Sequence, residues 1–128
     1  MNGSAASFAP RTALSALEIA TRLGLHAPTR EQRAVIEADP HGQTIVVAGA
    51  GSGKTETMAN RVVWLVANGH VDVPEVLGLT FTRKAAAELA ERVRQRVAQL
   101  VAEGIAEVSL DPLESASGSR AMSIACSR

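Results

Sequence analysis

Apolar positions recur along this chain with two different periods, and the switches between them divide it into elements. Leu14, Leu17 and Leu23, with alanines between them, predict a short amphipathic helix over 12–23. Thr12 or Ser15 can cap its start and Gly24 can end it. After a His26-Ala27-Pro28 connector, Thr29 and Gln32 have capping-box spacing, which predicts a second helix over 30–38 that stops at Asp39-Pro40-His41-Gly42. The period then changes. Residues 43–48 hold the β-branched run Ile45-Val46-Val47, suited to a buried parallel strand. A helix is predicted over 55–68, with Met58, Val62, Val63, Leu65 and Val66 facing inward and Asn68-Gly69 as its stop. A second strand follows over 76–82. A long helix over 83–103 then carries Leu89, Val93, Val97, Leu100 and Val101 on one face and ends at Gly104. Strands alternating with helices predict an α/β fold.

The two ends lack such periodicity. Met1 to Pro10 is small and polar. From Asp111 onward Ser115, Ser117, Ser119, Ser123 and Ser127 dominate, so 109–128 is expected to be a disordered or non-native tail with no packed element beyond a turn. The organisation expected is an extension with a short helix over 1–27, a nucleotide-binding unit over 28–108, and that tail.

The junction of the first strand with its helix carries the chemistry. Ala48-Gly49-Ala50-Gly51-Ser52-Gly53-Lys54-Thr55 links an apolar run to a helix start, as a phosphate-binding P-loop does. Successive backbone N–H groups in such a loop face phosphate oxygens, and the helix N-terminus adds partial positive charge. Lys54 would reach the β- and γ-phosphates, and the Thr55 hydroxyl would ligate Mg²⁺. The loop departs from G-x-x-x-x-G-K-[ST] at one place, where Ala48 stands for the first Gly. The competing reading is a Gly-rich turn that binds nothing.

Composition narrows the partners. The 128 residues suffice for one small domain, and 46% hydrophobic residues allow a packed core. Zero formal net charge means that any basic surface is local. A single Cys, Cys126, excludes an intramolecular disulfide, and His26, His41 and His70 have no ligand spacing. No leader pattern or membrane-length apolar run is visible, so a cytoplasmic location is the expectation. The window 83–96 holds five cations and two acids, a net +3. It can follow a phosphodiester backbone, or be the solvated face of an amphipathic helix with pairs such as Glu88–Arg92.

Three segments in this order, PTREQRAVIE from Pro28, AGAGSGKT from Ala48 and LTFTRKAAAELAERV from Leu79, resemble the amino-terminal part of the UvrD/Rep-type superfamily 1 DNA helicases. They correspond to the family's Q motif, Walker A motif and motif Ia, and the likeness covers about 28–101. The resemblance implies a partial RecA-like P-loop domain with parallel strands, flanking helices and an incomplete sheet. It gives Gln32 the reading of adenine, a task suited to a carboxamide that both donates and accepts, and so makes the nucleotide ATP. The other reading of Gln32 is a helix-start cap. The resemblance gives Thr80, Phe81, Thr82 and Arg83 contact with single-stranded DNA. Hydroxyls, one ring and a cation suit a phosphodiester and a stacked base. Many relatives have Asn where this chain has Arg83. The competing reading puts Phe81 in the core and makes Arg83-Lys84 a solvated helix start.

Hydrolysis also requires an apolar strand ending in Asp-Glu. The nearest segment, Val108-Ser109-Leu110-Asp111, lacks the Glu and meets Pro112. The sequence therefore predicts half of an ATPase site. The intact enzyme implied is an ATP-dependent, 3′ to 5′ DNA helicase acting on single-stranded and duplex DNA, and these 128 residues are expected to be inactive alone, as a fragment or prematurely ended product. A non-catalytic nucleotide- or DNA-binding module working with a protein partner is the alternative. A small P-loop kinase is disfavoured, because TFTRKAAAEL has no counterpart there.

Overall fold

A computed structural model of the chain describes residues 13–51, 53–106 and the backbone of 123–126. Helix α1 (Ala16–Arg22) begins at Ser15, whose hydroxyl accepts from the Glu18 N–H while the Glu18 carboxylate accepts from the Ser15 N–H at 2.7 Å. Of the two caps considered, Ser15 is the one used, and Gly24 follows the helix at φ 67°. Helix α2 (Arg30–Ile36) starts with the reciprocal Thr29–Gln32 box expected from the spacing. Helix α3 (Lys54–Ala67) starts at Gly53. A 3-10 turn (Val73–Glu75) leads into strand β1 (Leu77–Thr80), and α4 (Arg83–Ala102) follows with Thr82 as its cap.

Two apolar clusters hold these elements. One joins Ile19 and Leu23 of α1 to Ile36, Val63, Trp64 and Leu100. The other packs Ala59 and Val66 of α3 on Leu89, Ala90, Val93 and Val97 of α4. The start of α1 is also strapped to α3. The Leu14 N–H donates to Asn68 Oδ1 at 2.7 Å, and the Leu14 carbonyl accepts from Trp64 Nε1 and Asn68 Nδ2. The Glu37 carboxylate accepts from the Ala16 N–H at 2.8 Å. Residues 14–25 thus belong to the core rather than hanging from it.

Three expectations need correction. Residues 43–49 form no strand, and Ile45 and Val47 are 91% and 94% exposed rather than buried. β-branched propensity makes a strand only where neighbouring backbone completes the ladder, and the sheet among the described residues does not include Ile45, Val46 or Val47. Met58 and Val101, read as inward, are exposed at the margins of their helix faces. Ser123–Cys126 forms strand β2, parallel to β1, with Leu77 opposite Ser123 and Thr80 opposite Cys126. A serine-rich composition predicts no packed element there. The backbone pairs nonetheless, because a strand needs only ladder hydrogen bonds to an available edge. The expectations for 1–12 and for the rest of the tail, 107–122 and 127–128, lie outside the described residues.

Candidate functional site

The Ala48–Thr55 loop is shaped by glycines where L-residues are disfavoured. Gly51 and Gly53 have φ 78° and 80°. Gly53 is the N-cap of α3 and, having no side chain, makes no side-chain cap hydrogen bond to the helix amides behind it. Its carbonyl accepts from the Thr57 N–H and Thr57 hydroxyl, both at 2.9 Å. The Lys54 ammonium folds back over the loop and donates to the Ala48 carbonyl at 2.8 Å, joining the first residue of the motif to the seventh. Lys54 and Thr55 are exposed, as are Ala48, Gly49, Ala50 and Gly51; Ser52 lies outside the described residues.

Gln32 meets this loop. Its Oε1 accepts from the Thr29 N–H at 2.9 Å. Its Nε2 sits where a Cβ at Gly53 would be only 2.9 Å away. Capping and closeness to the loop are therefore compatible. The acceptor end is held by the cap, and the donor end lies against the N-cap of α3.

The other candidate segment is the β1–α4 junction. Phe81 is 90% exposed, which excludes the core reading of its ring. Thr80 donates its hydroxyl proton to the Thr82 carbonyl at 2.9 Å, and the Thr82 hydroxyl caps α4 by accepting from the Ala85 N–H at 3.0 Å. Arg83 is exposed. Among the five cations of 83–96 it alone makes no ion pair within the described residues. Lys84 pairs with Glu88 and Arg94 with Glu91, whereas Arg92 and Arg96 both reach Glu56, at 3.2 and 2.5 Å. Arg92 thus leaves its own helix for α3 instead of pairing with Glu88. The nearly buried Arg96 also donates to Asn60 Oδ1 at 2.6 Å. Glu56 directly follows Thr55, so this bridge runs from the first turn of α3 to the middle of α4. Helical spacing holds no signal for it.

The model of the UvrD/REP helicase N-terminal domain matches residues 28–121. The chain belongs to that family. Relatives named as UvrD helicases resemble it over part of its length. It is 47% identical over 70 residues to the ATP-dependent DNA helicase UvrD1 of Mycobacterium leprae, covering 55% of this chain and 9% of that protein. It is 48% identical over 64 residues to UvrD2 of Mycobacterium tuberculosis, covering 50% and 9%. With DNA helicase II of Haemophilus influenzae the identity is 40% over 75 residues, covering 59% and 10%. The chain therefore spans about a tenth of the length of these relatives. The UvrD match passes Val108 and runs to Ala121, so the shift to serine-rich composition at Asp111 does not mark its edge. No helix among the described residues is long and apolar enough to cross a membrane.

Proposed function

We propose that this chain is the ATP-binding amino-terminal part of an ATP-dependent DNA helicase, a portion of a RecA-like domain. The observation that carries the reading is the seating of the Gln32 amide against Gly53, at the head of a helix that opens with Lys54 and Thr55. A carboxamide there would serve as a donor–acceptor pair for a base, beside a glycine loop and a cation suited to phosphates. These groups fit a nucleoside triphosphate. Lys54 would exchange its bond to the Ala48 carbonyl for phosphate oxygens, the loop amides would cradle them, and the exposed Thr55 hydroxyl would hold Mg²⁺, which neutralises phosphate charge when bound. Thr80, Phe81, Thr82 and Arg83 would bind single-stranded DNA, the ring stacking a base and Arg83 meeting phosphate. In the longer enzyme this binding would drive 3′ to 5′ translocation. These 128 residues hold no Asp-Glu pair following an apolar strand, so binding without hydrolysis is the activity proposed for them.

Titration of the purified chain with a fluorescent ATP analogue and Mg²⁺ tests this. Saturable binding that Lys54→Ala weakens by about a hundredfold is expected, from the loss of a charge-assisted phosphate contact. Binding indifferent to Lys54 would refute the phosphate role. DNA-stimulated ATP turnover that Lys54→Ala abolishes would refute the claim of binding alone.

A further inference from the structure

Arg61 lies between the P-loop and the segment from Leu79, and makes a concentrated set of hydrogen bonds. It stands two turns into α3 and projects onto α2. Its Nη1 donates to the carbonyls of Val35, Ile36 and Ala38 at 3.0, 3.1 and 3.0 Å, and its Nη2 to that of Asp39 at 3.2 Å. No carboxylate pairs with it among the described residues. Its charge is met by carbonyl dipoles at the negative end of a helix, where such a cation is favourable. Only a planar guanidinium offers enough donors in one plane for this set; a lysine ammonium cannot span it.

We infer that Arg61 is a positioning residue for base selection, holding α2 so that Gln32 stays in register with Gly53. The inference rests on the ATP-binding reading above. α2 has only seven residues, too few to persist unaided. Besides Ile36 in the core and the Glu37 carboxylate that accepts from the Ala16 N–H, its fixed points are the Thr29–Gln32 box at its start and Arg61 at its end. The same guanidinium holds Ala38 and Asp39, and the Gly42 N–H donates to the Asp39 carbonyl, so the turn feeding the P-loop is tied to the P-loop's own helix. Without Arg61, the carbonyls at the end of α2 lose their donors and Gln32 loses its fixed distance to Gly53. Lys54 and Thr55, the side chains proposed to meet phosphate, stand on α3 itself, so their placement needs less from α2 than that of Gln32 does.

Base selection is read as the ratio of affinities for ATP and GTP, and phosphate binding as the affinity for inorganic tripolyphosphate, each titrated on the full chain. The unaltered chain should prefer ATP by about tenfold, the worth of one good hydrogen bond. Arg61→Ala should bring the ratio to about one while tripolyphosphate affinity stays within about twofold, and Arg61→Lys should fall between. In parallel, hydrogen exchange should quicken at amides 33–42 in Arg61→Ala and stay slow at 58–66. Should Arg61→Ala fail to fold by circular dichroism, Arg61→Lys carries the comparison. An unchanged ratio, an equal loss of all three ligands, or unchanged exchange at 33–42 would overturn the inference. An unaltered chain that binds neither nucleotide would sink the ATP-binding reading and base selection together, and the exchange result would still decide whether Arg61 holds α2.

Discussion

Gly53 is the position where one added methyl group does most harm. An L-side chain in its left-handed conformation costs about 1–2 kcal/mol, and its Cβ would press on Gln32 Nε2 at 2.9 Å. Gly53→Ala should therefore lower the melting temperature and weaken ATP more than the stability loss explains, which thermal melts with nucleotide titrations would reveal. At the start of α1, the Ser15 N–H and then its hydroxyl hold the Glu18 carboxyl below its ordinary value. A group with a depressed folded-state value stabilises above its unfolded value and loses that contribution as pH falls through the folded one. As pH falls below the ordinary carboxyl value of 4.5, melts should show α1 loosening, and Glu18→Gln should flatten that part of the profile. Features of this size were legible in the sequence. Ser15, Thr29 with Gln32, and Gly24 act on backbone within a few residues, so spacing alone exposes them. The close approach of Gln32 to Gly53 was not, because it joins positions twenty-one apart through the packing of two helices.

The bridge between α3 and α4 gives a test of how elements are joined. Glu56→Gln should cost about 1–2 kcal/mol, less than for a fully buried pair because the carboxylate is partly solvated. A double-mutant cycle with Arg96→Met in urea should return a clear coupling energy, and the same cycle with Arg94→Met should return none. Helix existence was legible, since α3 and α4 match their predicted spans to within a residue or two at each end. The partner of Arg92 was not. Helical spacing offers Glu88, one turn away, and packing supplies Glu56 across the interface.

Core and surface apolar residues should respond oppositely to truncation. Leu100 is fully buried where α1, α3 and α4 meet, and Leu100→Ala should cost about 2–5 kcal/mol, enough to unfold much of a chain this small. Changing Ile45 and Val47 to Thr should leave stability within about 0.5 kcal/mol, because those side chains already face solvent, and light scattering should fall. Helices α3 and α4 and strand β1 were legible from their periods. The strand pairing was not, because a ladder depends on what lies alongside. The run with the strongest strand character has no ladder among the described residues, while β1 pairs with four residues from a serine-rich stretch. That pairing has a kinetic consequence. Forty-two residues separate Thr80 from Ser123, so the parallel contact closes a long loop at an entropic cost that grows with its length. Folding should then run in sequence, the helical core forming through nearer contacts and β2 arriving last, with urea releasing it first.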